Sequence, residues 1–315
     1  MENELNLNKN IIYDVLIIGG GPAGLNAALY AKRKGLIVGI IAKSLGGQVV
    51  DTSSVENYLG ITDVSGIGLA EKFKEHINTL NVPFEEFMTI ETIKATNNSS
   101  IKEIILTNGT IYKSKTIIIA TGSSPRKLGV PGEKEYAGKG VAYCAICDGP
   151  FYTDEEVIVA GGGNSAVEAA IDLSKIASKV TLVHRSEFRA DRILIDQLEK
   201  LENVEIKLNT QIKEVVGEKF MTGINVLDKN NNTEYNISAA GIFVEIGYIP
   251  NSIPFKDVLE LNDKGEIIVN KYGETSIKGV YAAGDVTDTP FKQIVISAGE
   301  GAKCALSANE YLKKI

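Results

Sequence analysis

Val15-Leu16-Ile17-Ile18-Gly19-Gly20-Gly21-Pro22-Ala23-Gly24 runs a short apolar strand directly into a glycine turn. Residues 25–34 read as a helix behind that turn, and residues 36–42 as a second apolar strand. The three pieces make a βαβ unit with its glycines at the strand-to-helix turn, the context in which a glycine motif gains meaning. In such a unit Gly19 permits the tight turn, Gly21 lets the backbone approach a pyrophosphate, and Gly24 allows helix and strand to pack closely. With Pro22 and Ala23 opening the helix, its free N–H groups favour an anion there. At the end of the next strand Ala42-Lys43 stand where an acidic residue often holds a ribose.

The pattern returns downstream. An apolar strand at 157–160 leads into Gly161-Gly162-Gly163-Asn164-Ser165-Ala166, a helix to about 176 and a strand at 180–183. Gly161 and Gly163 repeat the roles of the first turn, and Ala166 is an accepted third small residue. The following strand ends in His184-Arg185, again without an acid, and Arg189 and Arg192 follow. Arginines without a carboxylate suit a 2′-phosphate, which favours NADPH and leaves NADH as the other coenzyme. The plainer alternative is a solvated basic helix start. Glu187, in the same loop, would repel a phosphate and could instead accept from a free 2′-hydroxyl.

A strand at 116–120 ends in Thr121-Gly122-Ser123-Ser124-Pro125, and one at 241–246 ends in Gly247-Tyr248-Ile249-Pro250. Both are apolar runs closed by glycine, polar residues and proline, as crossings between domains often are. The expected architecture is α/β, with two Rossmann-like dinucleotide-binding domains and the second inserted into the first. The first domain would take residues 1–123 and 249–315, the inserted one 124–248. Segments 97–100 and 229–233 read as hairpin or loop tips.

Length and composition agree with two domains, since 315 residues that are 44% hydrophobic can fill two cores without disulfide staples. A net charge of −7 argues against nucleic acid, whose phosphates need a basic surface. Residues 1–10 are polar, without the pattern of a signal peptide, and no apolar run approaches the ~18 residues of a membrane helix. Three cysteines are odd in number and too few for a secreted scaffold. The expectation is therefore a reducing, cytoplasmic setting, in which any disulfide is catalytic.

Cys144-Ala145-Ile146-Cys147-Asp148-Gly149 is the sharpest chemical signal. C-x-x-C brings two sulfurs within bridging reach, and Asp148 is placed to move a proton during thiol exchange. A zinc half-site fails on count. Cys304, His76 and His184 are the other candidate ligands and none forms a second pair, so no metal is expected. Cys304, among the small residues of 301–308, reads as a core cysteine. Neither histidine has a Ser or Cys partner that would indicate hydrolysis.

Together these residues resemble the low-molecular-weight thioredoxin reductases over essentially the whole chain after its first ten residues. The marks are Gly46-Gly47-Gln48, Val55-Glu56-Asn57, Ala120-Thr121-Gly122, the C-x-x-C-D-G at 144–149, G-G-G-N-S-A at 161–166, Gly279-Val280-Tyr281-Ala282-Ala283-Gly284-Asp285 and Lys292-Gln293. The resemblance implies FAD in the first domain, its pyrophosphate on the turn at 19–24, with Gly46, Gly47, Gln48, Val49 and Asn57 along its path. Asp285 would hold the ribityl chain and Gln293 would touch the flavin ring. Ala42, Lys43, Thr121, Gly122, Gly247, Gly284, Lys292 and Ile294 belong to the same cofactor-binding set. Cys147 would take electrons from the flavin, Cys144 would exchange with the substrate, and Asp148 would act as the acid. The implied partner is a thioredoxin- or glutaredoxin-like dithiol protein, and the implied assembly a homodimer.

Two departures qualify this. NADPH users of the family show H-R-R and a further Arg four positions on, whereas this chain has His184-Arg185-Ser186 and Arg189. The C-terminal third, with Gly241-Ile242-Phe243-Val244 and Gly299-Glu300-Gly301-Ala302-Lys303, is also similar to the reductase component of alkyl hydroperoxide reductase. That component normally carries an additional N-terminal thioredoxin-like domain, which makes a separate thioredoxin- or glutaredoxin-like protein that feeds a peroxiredoxin one candidate acceptor; service to a peroxiredoxin stays open. A ferredoxin-fed flavin thioredoxin reductase would not need the second glycine turn, and a non-catalytic flavin redox sensor would show no turnover.

Overall fold

The computed structural model describes residues 6–51, 55, 57–62 and 64–315. The chain divides into two compact units, one of Met1–Asp51, Tyr58–Ser124 and Ile249–Ile315, the other of Thr52–Asn57 and Pro125–Tyr248.

The first unit opens with β1 (Ile12–Gly20), α1 (Pro22–Arg33) and β2 (Val38–Leu45). It continues with α2 (Gly66–Thr79), β3 (Phe84–Glu85), β4 (Ile90–Lys94), β5 (Lys102–Leu106) and β6 (Ile111–Ile119). The sheet order is β3-β2-β1-β6-β5-β4, and β1 lies parallel to both β2 and β6. Val15, Leu16, Ile17 and Ile18 are all buried, as expected of a central parallel strand covered on both faces. Each such side chain gains about 1.5–3 kcal/mol on burial. β6 is longer than the strand expected at 116–120, and for a physical reason. Its first half alternates exposed and buried residues where it pairs antiparallel with β5, and its second half turns wholly apolar between parallel neighbours. Segment 97–100 connects β4 and β5, which pair antiparallel.

The chain leaves this unit through β7 (Ser123–Pro125). The second unit contains β8 (Val141–Ala142), α3 (Ala145–Asp148), β9 (Glu156–Ala160), α4 (Asn164–Leu173), β10 (Lys179–Val183), α5 (Arg192–Leu198) and β11 (Val204–Lys207). An antiparallel meander of β12 (Thr210–Gly217), β13 (Met221–Asp228) and β14 (Thr233–Ser238) precedes β15 (Gly241–Val244). The strands β11-β10-β9-β15-β8 form one parallel sheet. Its core joins Val157, Val159, Leu182 and Phe243 to Ala166, Ala170 and Leu173 of α4.

The return passes through β16 (Tyr248–Pro250), which pairs with β7. It ends with β17 (Val280–Ala282), parallel to β6, and α6 (Ile294–Leu312). α6 packs on α1 through small residues, and a Cβ at Gly301 would lie 1.9 Å from the Ala23 carbonyl oxygen. Cys304 is fully buried in α6, its thiol donating to the Ala282 carbonyl at 3.3 Å.

Candidate active site

The first glycine turn has the construction expected for a dinucleotide. Gly19 has a φ of +119°, and a Cβ there would meet the Ala120 carbonyl oxygen at 2.1 Å. A Cβ at Gly24 would meet the Gly19 carbonyl oxygen at 2.0 Å, so helix and strand touch there backbone to backbone. Gly21 differs, since the nearest atom to its Cβ position is the Gly47 Cα at 3.9 Å. The turn is closed where it packs and open where a phosphate would approach. Gly21 caps α1 without a side-chain hydrogen bond, which leaves the first amides of the helix for an anion.

Neighbouring residues of this unit extend the site. The Gly46 amide donates to the Gly20 carbonyl at 2.7 Å, and Gln48 Nε2 donates to the Ser123 carbonyl at 2.6 Å. Ser123 Oγ is buried with no hydrogen-bond partner among the described residues, as a polar atom reserved for a bound group would be. Val49 is buried in a 3-10 turn. Ala42 is buried and Lys43 exposed, and their carbonyls accept from the Met88 and Phe87 amides. Glu86 accepts the Leu45 amide at 3.0 Å and faces Lys74 at 3.6 Å. Thr121 and Gly122 are tied to Asn251 by hydrogen bonds in both directions. Asn57, which groups with the second unit, is exposed.

On the return segment, burial holds the Asp285 carboxyl above the usual carboxylate range. The Ser297 hydroxyl donating at 3.1 Å and the Lys292 charge pull it down, and Glu300 pushes it up. Glu300 is itself buried and accepts the Gly284 amide at 2.8 Å, fixing the turn that presents Asp285. The Lys292 ammonium donates to the Thr287 carbonyl at 2.5 Å and pairs with Glu266 at 3.2 Å. Gln293 caps α6 and Ile294 is its first residue.

In the second unit the turn at 161–166 repeats the arrangement. A Cβ at Gly161 would strike the Glu245 carbonyl oxygen at 2.3 Å, Gly163 faces open space, and Ala166 is fully buried. Ser165 is exposed, and Asn164 exchanges hydrogen bonds with Asp191 at 2.8 and 2.9 Å. The Arg189 amide donates to the Gly162 carbonyl at 2.7 Å, which brings the basic loop against the turn. Burial lowers the His184 pKa, and Arg189, Arg185 and Lys229 lower it further against the opposing Glu187. Lys229, which lies outside the sequence motif, reaches back from beyond β13 and donates to the Arg185 carbonyl at 3.0 Å. Glu187 is occupied by Asn209 Nδ2 at 2.8 Å. Gly247 has a φ of +96° and its carbonyl accepts the Arg126 amide at 2.9 Å.

Cys144 and Cys147 form a disulfide across α3, with Cα atoms 5.3 Å apart. Cys144 caps the turn, and its sulfur accepts the Cys147 amide at 3.2 Å. Both ends of the turn are anchored. Tyr248 Oη donates to the Tyr143 carbonyl at 2.6 Å, and Tyr143 Oη donates to Glu133 at 3.1 Å. After Asp148, Gly149 is buried against Leu173, and the Tyr152 ring meets Phe243 edge-on at 5.2 Å. One residue of this group escaped sequence reasoning: Glu245, which ends the apolar run of β15, accepts the Ala145 amide at 3.4 Å. Burial pushes its carboxyl up to about 7, against the pull of that amide.

These features agree with known proteins. A family model described as pyridine nucleotide-disulphide oxidoreductase matches residues 13–301. The F subunit of alkyl hydroperoxide reductase from Staphylococcus aureus (strain MRSA252) is 46% identical over 301 residues, covering 95% of this chain and 59% of that protein. Its Pseudomonas putida counterpart is 44% identical over 308 residues, 97% of this chain and again 59% of that protein. The chain thus spans 59% of the length of these curated relatives. Among solved structures, thioredoxin reductase from Streptococcus pyogenes MGAS5005 superposes with a TM-score of 0.91 at 38% identity, covering 97% of this chain and 100% of that one. Thioredoxin reductase from Giardia duodenalis gives 0.87 at 32% identity, covering 96% and 99%.

Proposed function

Because the chain belongs to the pyridine nucleotide-disulphide oxidoreductases, which use FAD and NAD(P)H, we propose that it passes electrons through Cys144 and Cys147 to a thioredoxin- or glutaredoxin-like dithiol protein. The observation that carries this reading is the Cys144–Cys147 disulfide, held within the same unit as the second glycine turn. FAD held on the turn at 19–24 would supply the two-electron relay between NAD(P)H and that disulfide. Gly21 gives the pyrophosphate room, Ser123 Oγ offers an unused polar atom, and the Glu300-fixed turn presents Asp285.

The division of labour in the pair is the one the resemblance implies, and a hydrogen bond supports it. Cys144 Sγ receives an amide N–H, which stabilises a thiolate at that sulfur and suits it to attack the partner's disulfide. Cys147 then closes the intramolecular disulfide and expels the partner's second thiol, with Asp148 beside it to move the proton. In balance, NAD(P)H, one proton and the partner's disulfide become NAD(P)+ and the partner's dithiol.

For the coenzyme, NADPH is favoured. Lys229 restores cationic charge that the shortened arginine motif lacks, and Asn209 occupies the carboxylate that would repel a phosphate. The likeness to the alkyl hydroperoxide reductase relatives supports a more specific version, in which the dithiol acceptor feeds a peroxiredoxin. The test offers NADPH with thioredoxin, with glutaredoxin, and with each coupled to a peroxiredoxin and an alkyl hydroperoxide. Sustained coenzyme oxidation that needs a dithiol protein supports the reading. Turnover with reduced ferredoxin alone, or none with any acceptor, would refute it.

A further inference from the structure

We infer that Glu245 is a positioning residue for the cysteine pair, and that its carboxyl takes up one of the protons that accompany reduction of Cys144–Cys147. The inference rests on the disulfide-reductase reading and concerns how that same site is tuned.

The geometry comes first. α3 is a single turn, and two acceptors use its first amides: Cys144 Sγ takes the Cys147 N–H at 3.2 Å and Glu245 takes the Ala145 N–H at 3.4 Å. A carboxylate and a nascent thiolate therefore share one small donor set. Glu245 is fixed by its own backbone, whose amide donates to the Ala160 carbonyl at 2.8 Å and whose carbonyl abuts Gly161. From there the side chain reaches the cysteine turn. Among the described residues, no lysine or arginine lies within ion-pair distance of it. Burial without a cation favours the neutral acid near pH 7, the direction its carboxyl shows.

Other ionisable groups surround it: the Arg126 guanidinium lies against Gly247, Lys127 Nζ sits 3.5 Å from the centre of the Tyr143 ring, and Tyr248 Oη donates to the Tyr143 carbonyl. Asp148 is on the turn itself. Tyr152 follows it, its phenol pushed up by burial and by Asp148, and so stays neutral through the neutral range. His184 packs on Gly162, its pKa lowered by burial and by the arginines.

The consequence for the redox step follows by charge balance. Two electrons break the S–S bond, and one sulfur takes a proton from solvent while the other remains a thiolate. The new negative charge raises the proton affinity of the neighbouring carboxyl, which binds the second proton. Between the Glu245 midpoints of the oxidised and the reduced protein, two electrons and two protons enter per pair; below both, Glu245 already holds its proton and one enters. Above the Glu245 midpoint the carboxylate opposes the thiolate and makes the pair harder to reduce. Below it the neutral acid does not.

The test equilibrates the intact flavin-containing chain with glutathione buffers at pH 6 and pH 8.5, reading the oxidation state of residues 144 and 147 by alkylation and mass. Glu245→Gln should favour reduction about tenfold at pH 8.5, which is ~30 mV for a two-electron couple, and should change nothing at pH 6. An equal shift at both pH values, or no shift at either, would overturn the inference. Should the variant fail to fold, carboxyl 13C titration of the native chain decides. A Glu245 midpoint near 7 in the oxidised protein that rises on reduction is expected, and one that does not move overturns it. NAD(P)H takes no part in either experiment. Absence of turnover would therefore refute the functional reading without producing either of the results that overturn this one.

Discussion

Replacing Arg185 by alanine isolates the coenzyme argument. A guanidinium on a 2′-phosphate is a charge-assisted hydrogen bond, worth about 1.5–3 kcal/mol. Arg185 is exposed and Lys229 sits on its carbonyl, so solvent and the remaining cations soften the loss. The lower end of that range applies, and at ~1.4 kcal/mol per decade kcat/KM for NADPH should fall about tenfold. NADH lacks the 2′-phosphate and should change by less than about twofold. Asn209→Ala gives the complementary perturbation. Freeing Glu187 should weaken NADPH by up to about fivefold, the 0.2–1 kcal/mol typical of exposed charge pairs, with little effect on NADH. Steady-state kinetics with both coenzymes on the three proteins decide the matter. A native enzyme that prefers NADH, or an Arg185→Ala variant that loses both coenzymes equally, would refute the phosphate site.

Cys144→Ser and Cys147→Ser should each retain coenzyme-driven bleaching of the flavin absorbance and lose reduction of a dithiol protein, measured by stopped-flow and by steady-state assay. Cys144→Ser should in addition show a long-wavelength absorbance band from the remaining thiolate. Gly24→Ala drives a methyl against the Gly19 carbonyl at 2.0 Å, so bound FAD per chain and thermal midpoint should both fall, with about 1–3 kcal/mol of stability lost. Burial pushes the Cys304 thiol up to about 12, so the reduced native protein should react with a disulfide reagent at Cys144 and Cys147 and release the third thiol only in denaturant.

The parts of this molecule legible in its sequence are those whose chemistry is local. Gly19, Gly24 and Gly161 announce themselves because a backbone turn leaves no room for a Cβ, and C-x-x-C because one turn spans both sulfurs. Cys304 was readable as core from its small neighbours, and it is fully buried. The roles that escaped notice are played across the fold. Glu86 serves the end of β2 from just beyond β3, Lys229 serves the loop after β10 from beyond β13, and Glu300 fixes the Gly284 turn from α6. Glu245 had a signal, an acid closing the apolar run of β15, but its meaning depends on the cysteine turn a hundred positions earlier. Partners within the protein are likewise invisible in the motif, as Glu266 is for Lys292 and Asp191 for Asn164.

The most direct test of the electron path is an anaerobic titration of the oxidised, flavin-containing chain with NADPH, run in parallel on the native protein and Cys147→Ser. If the disulfide lies on the path, the native chain consumes one further equivalent of NADPH beyond that needed to bleach its flavin, and the variant consumes none. Equal consumption by the two proteins would mean that the Cys144–Cys147 pair does not receive the coenzyme's electrons.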